Sequence, residues 1–572
     1  MQAQYDLVLR RGTVVDGSGG EPFEADVALS GGRIAKIGKV DGRGAEEIDA
    51  RDKLVTPGFV DIHTHYDGQV TWDERTAPSA AHGVTTAVMG NCGLGFAPCR
   101  PGDRDLLINM MVGVEDIPEP VLSAGLPWNW ETFPEYLNVV DSRRRDMDVA
   151  AQLPHSALRV FVMGARGAAR ENATPEDLRE MTRLTEEAMR AGAVGFGTSR
   201  SIFHKDGDGR AIPSKDVGEA ELQAIAAGMA AANIGAIEVL LDFDQNFDAE
   251  FQLFRRIAET SGRPMSFSLF QSPNYPDVWS HALDLIDRAN ADGLNIKGQV
   301  IGRPTGFLLG LNLSINPFSY HPSYQAIEHL PLDARVRAMR DPQVRERILN
   351  EAHGEPPNPA ITMMYAFDRL YELGNPPNYE PRPETCVAAL AAKQGVSPWS
   401  IAYDMLLKEE GQGVMFTVLA NYVNGDLEPV RVMLENKNTV LGLGDGGAHC
   451  GMLCDAGYPT FMLTHWARDR AGGGLPMPKV IQSLTHTPAA MIGLNDRGLL
   501  REGLKADLNV IDFDRLTLHP PRAVFDLPGG ARRLMQATEG YEANIVSGQV
   551  TYRENVPTGH LPGRLARSTA GI

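Results

Sequence analysis

The sequence predicts an α/β fold, a (β/α)8 barrel of the TIM type joined to a small β-sandwich domain. Short runs of alternating apolar and polar residues occur at both ends of the chain. Between them, apolar strand-like segments alternate with amphipathic helical segments. A segment at residues 305–439, before the last strand-like segment, is too long for one connection and indicates an insertion. A doubly wound open sheet is the second interpretation of the alternation.

The two ends of the chain have the same character. Residues 5–55 contain the runs YDLVLRRGTVVDG, ADVALSGGRIAKIG and EEIDARDKLV, separated by glycine and aspartate, which is typical of a small antiparallel sheet. The runs ADLNVIDF and ANIVSGQVTYR repeat this pattern near the C-terminus. Because chain termini often lie close together, we expect residues 1–56 and 498–572 to form one composite β domain.

The middle of the chain supplies the barrel, which we expect to comprise residues 57–304 and 440–497. The clearest helix spans residues 175–191, where Thr174 can cap the start, Pro175 suits the first position and Gly192 ends it. The predicted strands are residues 58–65, 84–92, 158–164, 193–199, 236–243, 265–271, 296–301 and 440–445.

Residues 305–439 form the predicted insertion between the last two barrel strands. The segment contains helical runs of its own, DPQVRERILNEA and PETCVAALAAKQG, together with proline-rich turns. An insertion at this point lies on the rim where α/β barrels carry their chemistry. We therefore expect it to act as a substrate lid.

Composition limits the partners of the protein. The net charge of −19 and the sequence pI near 5.2 oppose binding to phosphate backbones and anionic lipid, so we expect a small-molecule substrate, no nucleic acid and no membrane. An anionic substrate needs local arginines. The five cysteines are few and odd in number, and no signal peptide or membrane span is evident, which predicts reduced thiols and a cytoplasmic location. The oligomeric state has no readable signature in the sequence.

The segment GFVDIHTHYD, residues 58–67, is the first candidate functional site. Apolar and polar residues alternate in it, as in a strand, so His63 and His65 point to the same face and can reach one cation. A pair of surface histidines is the alternative interpretation. The position at the C-terminal end of an apolar strand, where barrels place their chemistry, favours a metal site.

Two further residues lie at the ends of predicted strands. Cys92 ends the second in VMGNCG, where a free cysteine is either a small buried hydrophobe or a metal thiolate. Asp445 ends the last in LGLGDGGAHC, where it is either a turn residue or a ligand. In a closed barrel the last strand pairs with the first, which places Asp445 beside His63 and His65 and completes an open zinc-like site. Water in such a site is acidified, and Asp445 can accept its proton.

The run GLGDGG also matches the dinucleotide fingerprint GxGxxG, but the match is late in the chain and lacks the context that the fingerprint requires. A nucleotide oxidoreductase therefore ranks last among the possible functions.

Other polar residues near strand ends have open roles. His155 is either structural or catalytic. His449 is a metal ligand, a substrate donor or a cap. Arg200, Lys205 and Arg303 follow predicted strands, and an arginine among them is suited to hold a substrate carboxylate in a bidentate pair.

Several motifs in order resemble the amidohydrolase superfamily, and within it the D-aminoacylase or N-acyl-D-amino-acid deacylase branch. They are GFVDIHTHYDGQVTWD, GVTTAVMGNCGLGFAP, PHSALRVFVMG, GAVGFGTSR and DRGLLREGLKADLNVIDFD. The resemblance covers essentially the whole chain. It implies a metal-bearing barrel that hydrolyses an amide, with His63, His65, Cys92 and Asp445 as ligands and Asp445 also as general base.

The chain departs from this branch at the fifth and sixth strands, where the relatives carry further histidine ligands. Here the strands read GAIEVLLDFDQN and PMSFSLFQSPNY, and Asp242 and Gln271 stand nearest the expected positions. No lysine ends the fourth strand, where related binuclear enzymes place a bridging lysine. One or two divalent ions, with zinc as the metal, are therefore expected, and the sequence favours a mononuclear site or one completed by His155, His449 or Asp242.

The resemblance and the residues together predict a metal-dependent hydrolase that cleaves N-acyl (D-)amino acids or similar linear amides. Two alternatives remain open at this point. One is hydrolysis of a cyclic amide, as in dihydropyrimidinase-like or hydantoinase-like enzymes. The other is a catalytically inactive barrel that serves as a binding protein.

Overall fold

The computed structural model describes residues 3–356 and 359–568, so residues 1–2 and 569–572 of the expected composite β domain lie outside it. The strands are β1 (Tyr5–Val14), β2 (Phe23–Ser30), β3 (Arg33–Gly38), β4 (Gly44–Asp49), β5 (Leu54–Pro57), β6 (Phe59–Asp61), β7 (Val84–Met89), β8 (Asp148–Pro154), β9 (Gly195–Ser199), β10 (Ala236–Leu240), β11 (Met265–Ser268), β12 (Ile296–Val300), β13 (Thr305–Leu309), β14 (Leu370–Glu372), β15 (Met415–Ala420), β16 (Thr439–Leu441), β17 (Leu508–Ile511), β18 (Thr517–Leu527), β19 (Ala531–Glu539), β20 (Tyr541–Val546), β21 (Gln549–Arg553) and β22 (Val556–Pro557).

The α-helices are α1 (Ala77–Ala80), α2 (Arg104–Glu115), α3 (Glu119–Gly125), α4 (Phe133–Ser142), α5 (His155–Met163), α6 (Ala165–Ala168), α7 (Pro175–Arg190), α8 (Glu219–Ala232), α9 (Phe247–Ser261), α10 (Val278–Ala291), α11 (Pro322–Gln325), α12 (Leu332–Met339), α13 (Pro342–Asn350), α14 (Val387–Gln394), α15 (Pro398–Leu406), α16 (Lys408–Gly411), α17 (Glu428–Glu435), α18 (Tyr458–Phe461), α19 (Met477–Leu484) and α20 (His486–Met491).

The predicted barrel is confirmed. Eight strands form one parallel sheet in the order β6-β7-β8-β9-β10-β11-β12-β16, with helices between them. The two ends of this sheet meet beyond the last assigned strand residues, where the N–H of Asp445 donates to the carbonyl of His63 at 3.0 Å. The C-terminal ends of the first and last barrel strands therefore lie side by side.

One predicted strand is wrong. Residues 158–163 belong to helix α5, Gly164 follows its end, and the third barrel strand is β8, immediately before the helix. Every residue of β8 is buried, so the strand shows no alternation of apolar and polar residues. The apolar run of α5 resembles a strand in composition, yet it buries Leu158 and leaves Phe161 and Val162 partly exposed, as a helix lying on the barrel does.

Helix α7 matches its prediction. Thr174 Oγ1 accepts a hydrogen bond from Asp177 N at 3.2 Å, and an Asp177 carboxylate oxygen accepts one from Thr174 N at 2.8 Å. This reciprocal cap satisfies backbone N–H groups that the first turn of a helix leaves free. Met181 and Ala188 are fully buried on the face toward the barrel.

Both ends of the chain contribute to one nine-stranded sheet. β1–β5 join β17 and β20–β22, and β5 and β17 form the antiparallel seam between the two ends, with Val55 opposite Val510. Apolar side chains from both ends share one buried core. The predicted pairing of the termini is therefore confirmed.

The insertion between β12 and β16 folds around a core of its own. β13, β15 and β14 form a three-stranded antiparallel sheet, and α11–α15 accompany it. The core of the insertion includes Leu309, Phe318, Met339, Tyr403 and Met415. Its role as a lid stays a prediction.

A two-stranded ribbon, which we call the C-terminal ribbon, is formed by β18 and β19 and is separate from the nine-stranded sheet. Its tip at residues 528–530 lies against α3. The sequence did not indicate this element.

In the described ranges, we find no helix with both the length and the apolar character needed to cross a bilayer. All five cysteines are free and buried.

Candidate metal centre and active-site cavity

The first barrel strand presents both histidines of the HxH pattern. Both histidines lie just beyond β6, where the N–H of His65 donates to the carbonyl of Gly446 at 2.8 Å. His63 and His65 therefore face the same side of the segment. Both imidazoles are buried, and their ring centroids lie 5.4 Å apart.

Cys92 approaches these histidines from the second barrel strand. It lies in the 3₁₀ turn Asn91–Gly93 after β7, with a left-handed backbone at φ 56°. Strain of this kind in a non-glycine residue is common at functional sites. Cys92 Sγ lies 3.4 Å from His63 Nε2. One potential ligand atom each from His63, His65 and Cys92 lies within 4.8 Å of the others.

Asp445 joins the group from the last barrel strand. Its Oδ1 lies 3.4 Å from His63 Nε2 and 3.5 Å from His65 Nε2. This oxygen is buried and has no hydrogen-bond partner among the described residues. The four side chains, His63, His65, Cys92 and Asp445, form a candidate metal site, which is called the metal centre below.

The donor atoms of the metal centre fit a zinc-like ion. Tetrahedral bonds of about 2.0–2.1 Å to nitrogen or oxygen place neighbouring donors roughly 3.3 Å apart. The separations of Asp445 Oδ1 from the two imidazole nitrogens, 3.4 and 3.5 Å, are close to that value. Imidazole, thiolate and carboxylate are all zinc ligands, whereas Mg²⁺ and Ca²⁺ prefer oxygen alone. The unpartnered carboxylate oxygen also lies where a cation would satisfy it.

Buried carboxyl groups surround the two imidazoles. Burial raises the pKa of Asp61 and of Glu238 to about 8, and that of Glu115 to about 7. Burial alone would raise the pKa of Asp445 as well, but the neighbouring histidines lower it below its usual range. This concentration of buried carboxyl groups around the two imidazoles favours a bound cation at this point.

The two imidazoles differ in their protonation. Burial lowers the pKa of His63 to about 4, which favours the neutral ring that binds metals. Burial would also lower the pKa of His65, but Glu115 and Asp445 outweigh it and raise this pKa to about 9. A metal ion therefore competes with a proton for His65, and metal affinity is expected to fall with decreasing pH.

Three residues that the sequence analysis missed lie beside the Nδ1 atoms of the two rings. Gln299 Oε1 lies 3.2 Å and Glu238 Oε1 3.6 Å from His63 Nδ1. Glu115 Oε1 lies 3.5 Å from His65 Nδ1. Glu238 and Gln299 are polar residues inside the apolar strands β10 and β12, a signal that the sequence did contain. Glu115 ends α2, and nothing in the sequence marked it.

His449 lies on the wall of the cavity beside the metal centre. Its Nε2 is 3.6 Å from Glu115 Oε2. His204 is a further buried histidine that the sequence analysis did not single out. Burial, together with the charges of His65 and His449, lowers its pKa to about 3, and its Nδ1 has no partner among the described residues.

Two predicted site residues, His155 and Asp242, are engaged in contacts away from the metal centre. His155 begins α5, and its ring nitrogens lie 2.8 Å from Thr198 Oγ1 and 3.0 Å from Glu221 Oε1. The carboxylate of Asp242 accepts hydrogen bonds from the hydroxyl of Ser201 and the N–H of Ile202, both at 2.9 Å.

Gln271 connects the barrel to the insertion. Its N–H donates to Asn421 Oδ1 at 2.8 Å, and its Oε1 accepts from the N–H of Val423 at 3.1 Å. These contacts favour a structural role for this residue.

The predicted arginines are also paired. Arg200 donates from Nε and Nη2 to the carboxylate of Glu250 at 2.8 and 2.9 Å. Arg303 donates to Asp455 and lies 4.2 Å from the ring centroid of Tyr379. Neither arginine is among the residues that line the cavity.

The metal centre opens into a cavity, to which it contributes His65 and Asp445. Much of the wall is apolar and comes from the helical segment around α3, the loop after β16 and the C-terminal ribbon. These residues are Ile117, Val121, Leu122, Leu453, Leu527 and Leu534. Trp72, Arg533 and Gln536 add polar groups to the wall.

Comparison with solved structures agrees with this architecture. The crystal structure of a D-aminoacylase superposes with a TM-score of 0.65 at 23% identity, covering 98% of this chain and 100% of the other. N-acyl-D-glutamate deacylase from Bordetella bronchiseptica, solved with zinc and a phosphonate inhibitor, gives a TM-score of 0.65 at 22% identity and covers 98% and 99% of the two chains. At these identities the similarity shows a shared fold.

Sequence comparison extends over the whole chain. D-aminoacylase of Alcaligenes xylosoxydans xylosoxydans is 27% identical over 99% of this chain and 98% of its own. N-acyl-D-glutamate deacylase of the same organism is 26% identical over 100% of this chain and 98% of its own. The profile of the amidohydrolase family matches residues 46–552, a range that contains all four residues of the metal centre. The chain therefore belongs to the amidohydrolase family.

Proposed function

We propose that this protein is a metal-dependent hydrolase that cleaves the amide bond of N-acyl amino acids, the D enantiomers among them, or of similar linear amides. The observation that carries the proposal is the convergence of His63, His65, Cys92 and Asp445 at one point, from which His65 and Asp445 reach the cavity. The full-length similarity to a D-aminoacylase and to an N-acyl-D-glutamate deacylase supports the substrate class.

The metal centre provides the groups that amide hydrolysis requires. A divalent cation held there supplies a Lewis acid that polarises the amide carbonyl and lowers the pKa of water. Asp445 lines the cavity, and with one carboxylate oxygen on the metal its other oxygen would be placed to take a proton from the attacking water. The water oxygen bonds to the carbonyl carbon, the C–N bond breaks, and Asp445 passes the proton to the leaving nitrogen. The products are a carboxylate and a free amine.

The cavity suits a substrate with an apolar part. Apolar side chains of α3, the loop after β16 and the C-terminal ribbon line it, as is usual for small-molecule sites. We therefore expect apolar acyl groups or apolar amino-acid side chains to be preferred.

Metal analysis and an activity screen test the proposal. Protein purified without chelator is analysed for bound metal, and released amine is measured with N-acetyl and longer N-acyl derivatives of both enantiomers of several amino acids. We expect stoichiometric metal and amine release from at least one enantiomeric series. Hydantoin and dihydrouracil serve as cyclic-amide comparisons.

Paired variants connect that activity to the metal centre. His63→Ala/His65→Ala should lose both bound metal and activity, because it removes two of the four donors. His281→Ala/His329→Ala, which removes two solvent-accessible histidines outside the cavity, is the matched control and should retain both. Full activity in the first double variant would refute the proposal, and absence of metal with absence of activity in the wild type would favour a binding protein.

A further inference from the structure

Arg533 is an incompletely paired cation in the wall of the cavity. It lies on β19 of the C-terminal ribbon and is 8% exposed. Its Nη2 donates to Asp526 Oδ2 at 2.8 Å. Its Nε and Nη1 are buried and have no hydrogen-bond partner among the described residues.

This arrangement is costly unless a ligand completes it. A buried N–H group without a partner loses its hydration and gains nothing in return, and the loss is larger for a charged group. Asp526 holds one side of the guanidinium, which fixes its plane. The unpartnered N–H groups, on Nε and Nη1, lie on different edges of the planar guanidinium, and each can donate in a fixed direction to a carboxylate oxygen.

The other cations considered for this role are less suitable. Arg200 donates two hydrogen bonds to Glu250 and does not line the cavity. Arg303 has the same two unpartnered nitrogens as Arg533, but it does not line the cavity either. Among the described residues, Arg533 is the one lysine or arginine that lines it. In a protein with a net charge of −19, an anionic substrate needs a local cation of this kind.

A second unpartnered donor lies in the same cavity. Trp72 lines the wall, and its Nε1 is buried with no partner among the residues described. Trp72 is held in place by α3, since a Cβ at Gly125 would come within 2.6 Å of its ring. Donors from two separate segments, Trp72 and Arg533, therefore border the space that also contains Asp445.

We propose that Arg533 binds the free carboxylate of the substrate, so that the C-terminal ribbon selects N-acyl amino acids over amides that lack an adjacent anion. This inference rests on the proposed function, because it assigns the part of the substrate that the metal centre leaves unrecognised. Arg533 is a specificity-determining residue, and Asp526 is the positioning residue that orients it.

Binding of a ligand that cannot be hydrolysed tests the proposal. The probe is the methylene-ketone isostere of N-acetyl-leucine, in which CH₂ replaces the amide NH, and its neutral carboxamide serves as the comparison. Dissociation constants are measured by calorimetry with the metal-loaded full-length protein. The variants are Arg533→Met, Arg533→Lys and the matched control Arg532→Met.

Arg532 is the adjacent residue of the same strand, and it does not line the cavity. Its Nη2 donates instead to Ser314 Oγ at 3.1 Å. Arg533→Met is expected to fold, since Asp526 is half exposed and regains solvent when its partner is removed.

Arg533→Met should weaken binding of the carboxylate probe by about 10- to 100-fold, the usual effect of losing charged hydrogen bonds. Binding of the carboxamide should change less than about threefold. The affinity of Arg533→Lys for the carboxylate probe should lie between those of the wild type and Arg533→Met, because a lysine keeps the charge but not the fixed donor directions of a guanidinium. Arg532→Met should have the same dissociation constants as the wild type for both probes.

Three results would overturn the assignment. These are no binding of the acid probe by the wild type, unchanged affinity for that probe in Arg533→Met, or an equal loss for the acid and the amide. The readout does not depend on turnover. Binding that depends on Arg533 in a protein that releases no amine would reject the proposed hydrolysis while supporting the carboxylate site.

Discussion

Asp445→Asn keeps the size of the side chain but removes the carboxylate that lies 3.4 and 3.5 Å from the imidazole nitrogens of His63 and His65. Two losses follow from the structure. One anionic donor leaves the metal centre, and the group placed to accept the proton of water is gone. A positioned general base contributes roughly 10²- to 10⁴-fold to rate, which corresponds to about 3–5 kcal/mol of activation free energy.

The assay separates these two losses. Initial rates of amine release are measured at saturating zinc, after metal content has been determined, so that weaker metal binding does not hide the loss of the base. We expect kcat to fall by roughly 10²- to 10⁴-fold with zinc restored. Asp242→Asn is the comparison, because Ser201 and Ile202 already occupy its carboxylate, and it should stay within about threefold of the wild type. Near-normal kcat in zinc-loaded Asp445→Asn would refute the assigned role.

Two further predictions concern metal affinity and stability. Gln299→Leu removes the group 3.2 Å from His63 Nδ1 and should weaken zinc binding by roughly 10- to 100-fold in a chelator competition, as loss of a ligand-orienting partner usually does. Asp148→Asn breaks a buried pair with Arg497 and should lower the free energy of unfolding by about 3–5 kcal/mol, measured with denaturant, whereas the exposed Asp49→Asn should leave it unchanged. Attraction from Lys505 and Arg497 outweighs burial and lowers the pKa of Asp148 to about 2, so this stabilisation is present above its unfolded pKa of about 4 and is lost as the pH falls toward 2. A zinc affinity of Gln299→Leu equal to that of the wild type would contradict the role assigned to Gln299. Equal free energies of unfolding for Asp148→Asn and Asp49→Asn would contradict the role assigned to the Asp148 pair.

Local patterns in the sequence were sufficient for much of the barrel and the metal centre. The alternation around His63 and His65 predicts their shared face, and closure of the barrel predicts that Asp445 lies beside them. Both expectations agree with the structure. Helix α7 was also predictable, because its cap, first proline and terminal glycine are local signals.

The third strand was not predictable in the same way. β8 is buried on both faces, so no alternation marks it, and the neighbouring helix has a strand-like composition. Short apolar runs are ambiguous between strand and helix when periodicity is the main signal. Its true position places His155 at the start of a helix, after the strand, rather than just before the strand.

Residues that reach the site from distant segments were also missed. Glu115 comes from the end of α2, and Arg533 comes from a ribbon near the end of the chain. Their positions depend on tertiary packing, because neither lies on a barrel strand. Glu238 and Gln299 are different, since a polar residue inside a buried strand is itself a signal of function or of a specific partner.

The central claim is that side chains from the first, second and last barrel strands bind one metal ion. An anomalous difference map from crystals of the zinc-loaded protein, with data collected on both sides of the zinc absorption edge, tests it most directly. We expect one strong peak in contact with His63, His65, Cys92 and Asp445. A peak bound elsewhere, or no peak among these four side chains in crystals of zinc-loaded protein, would contradict the claim.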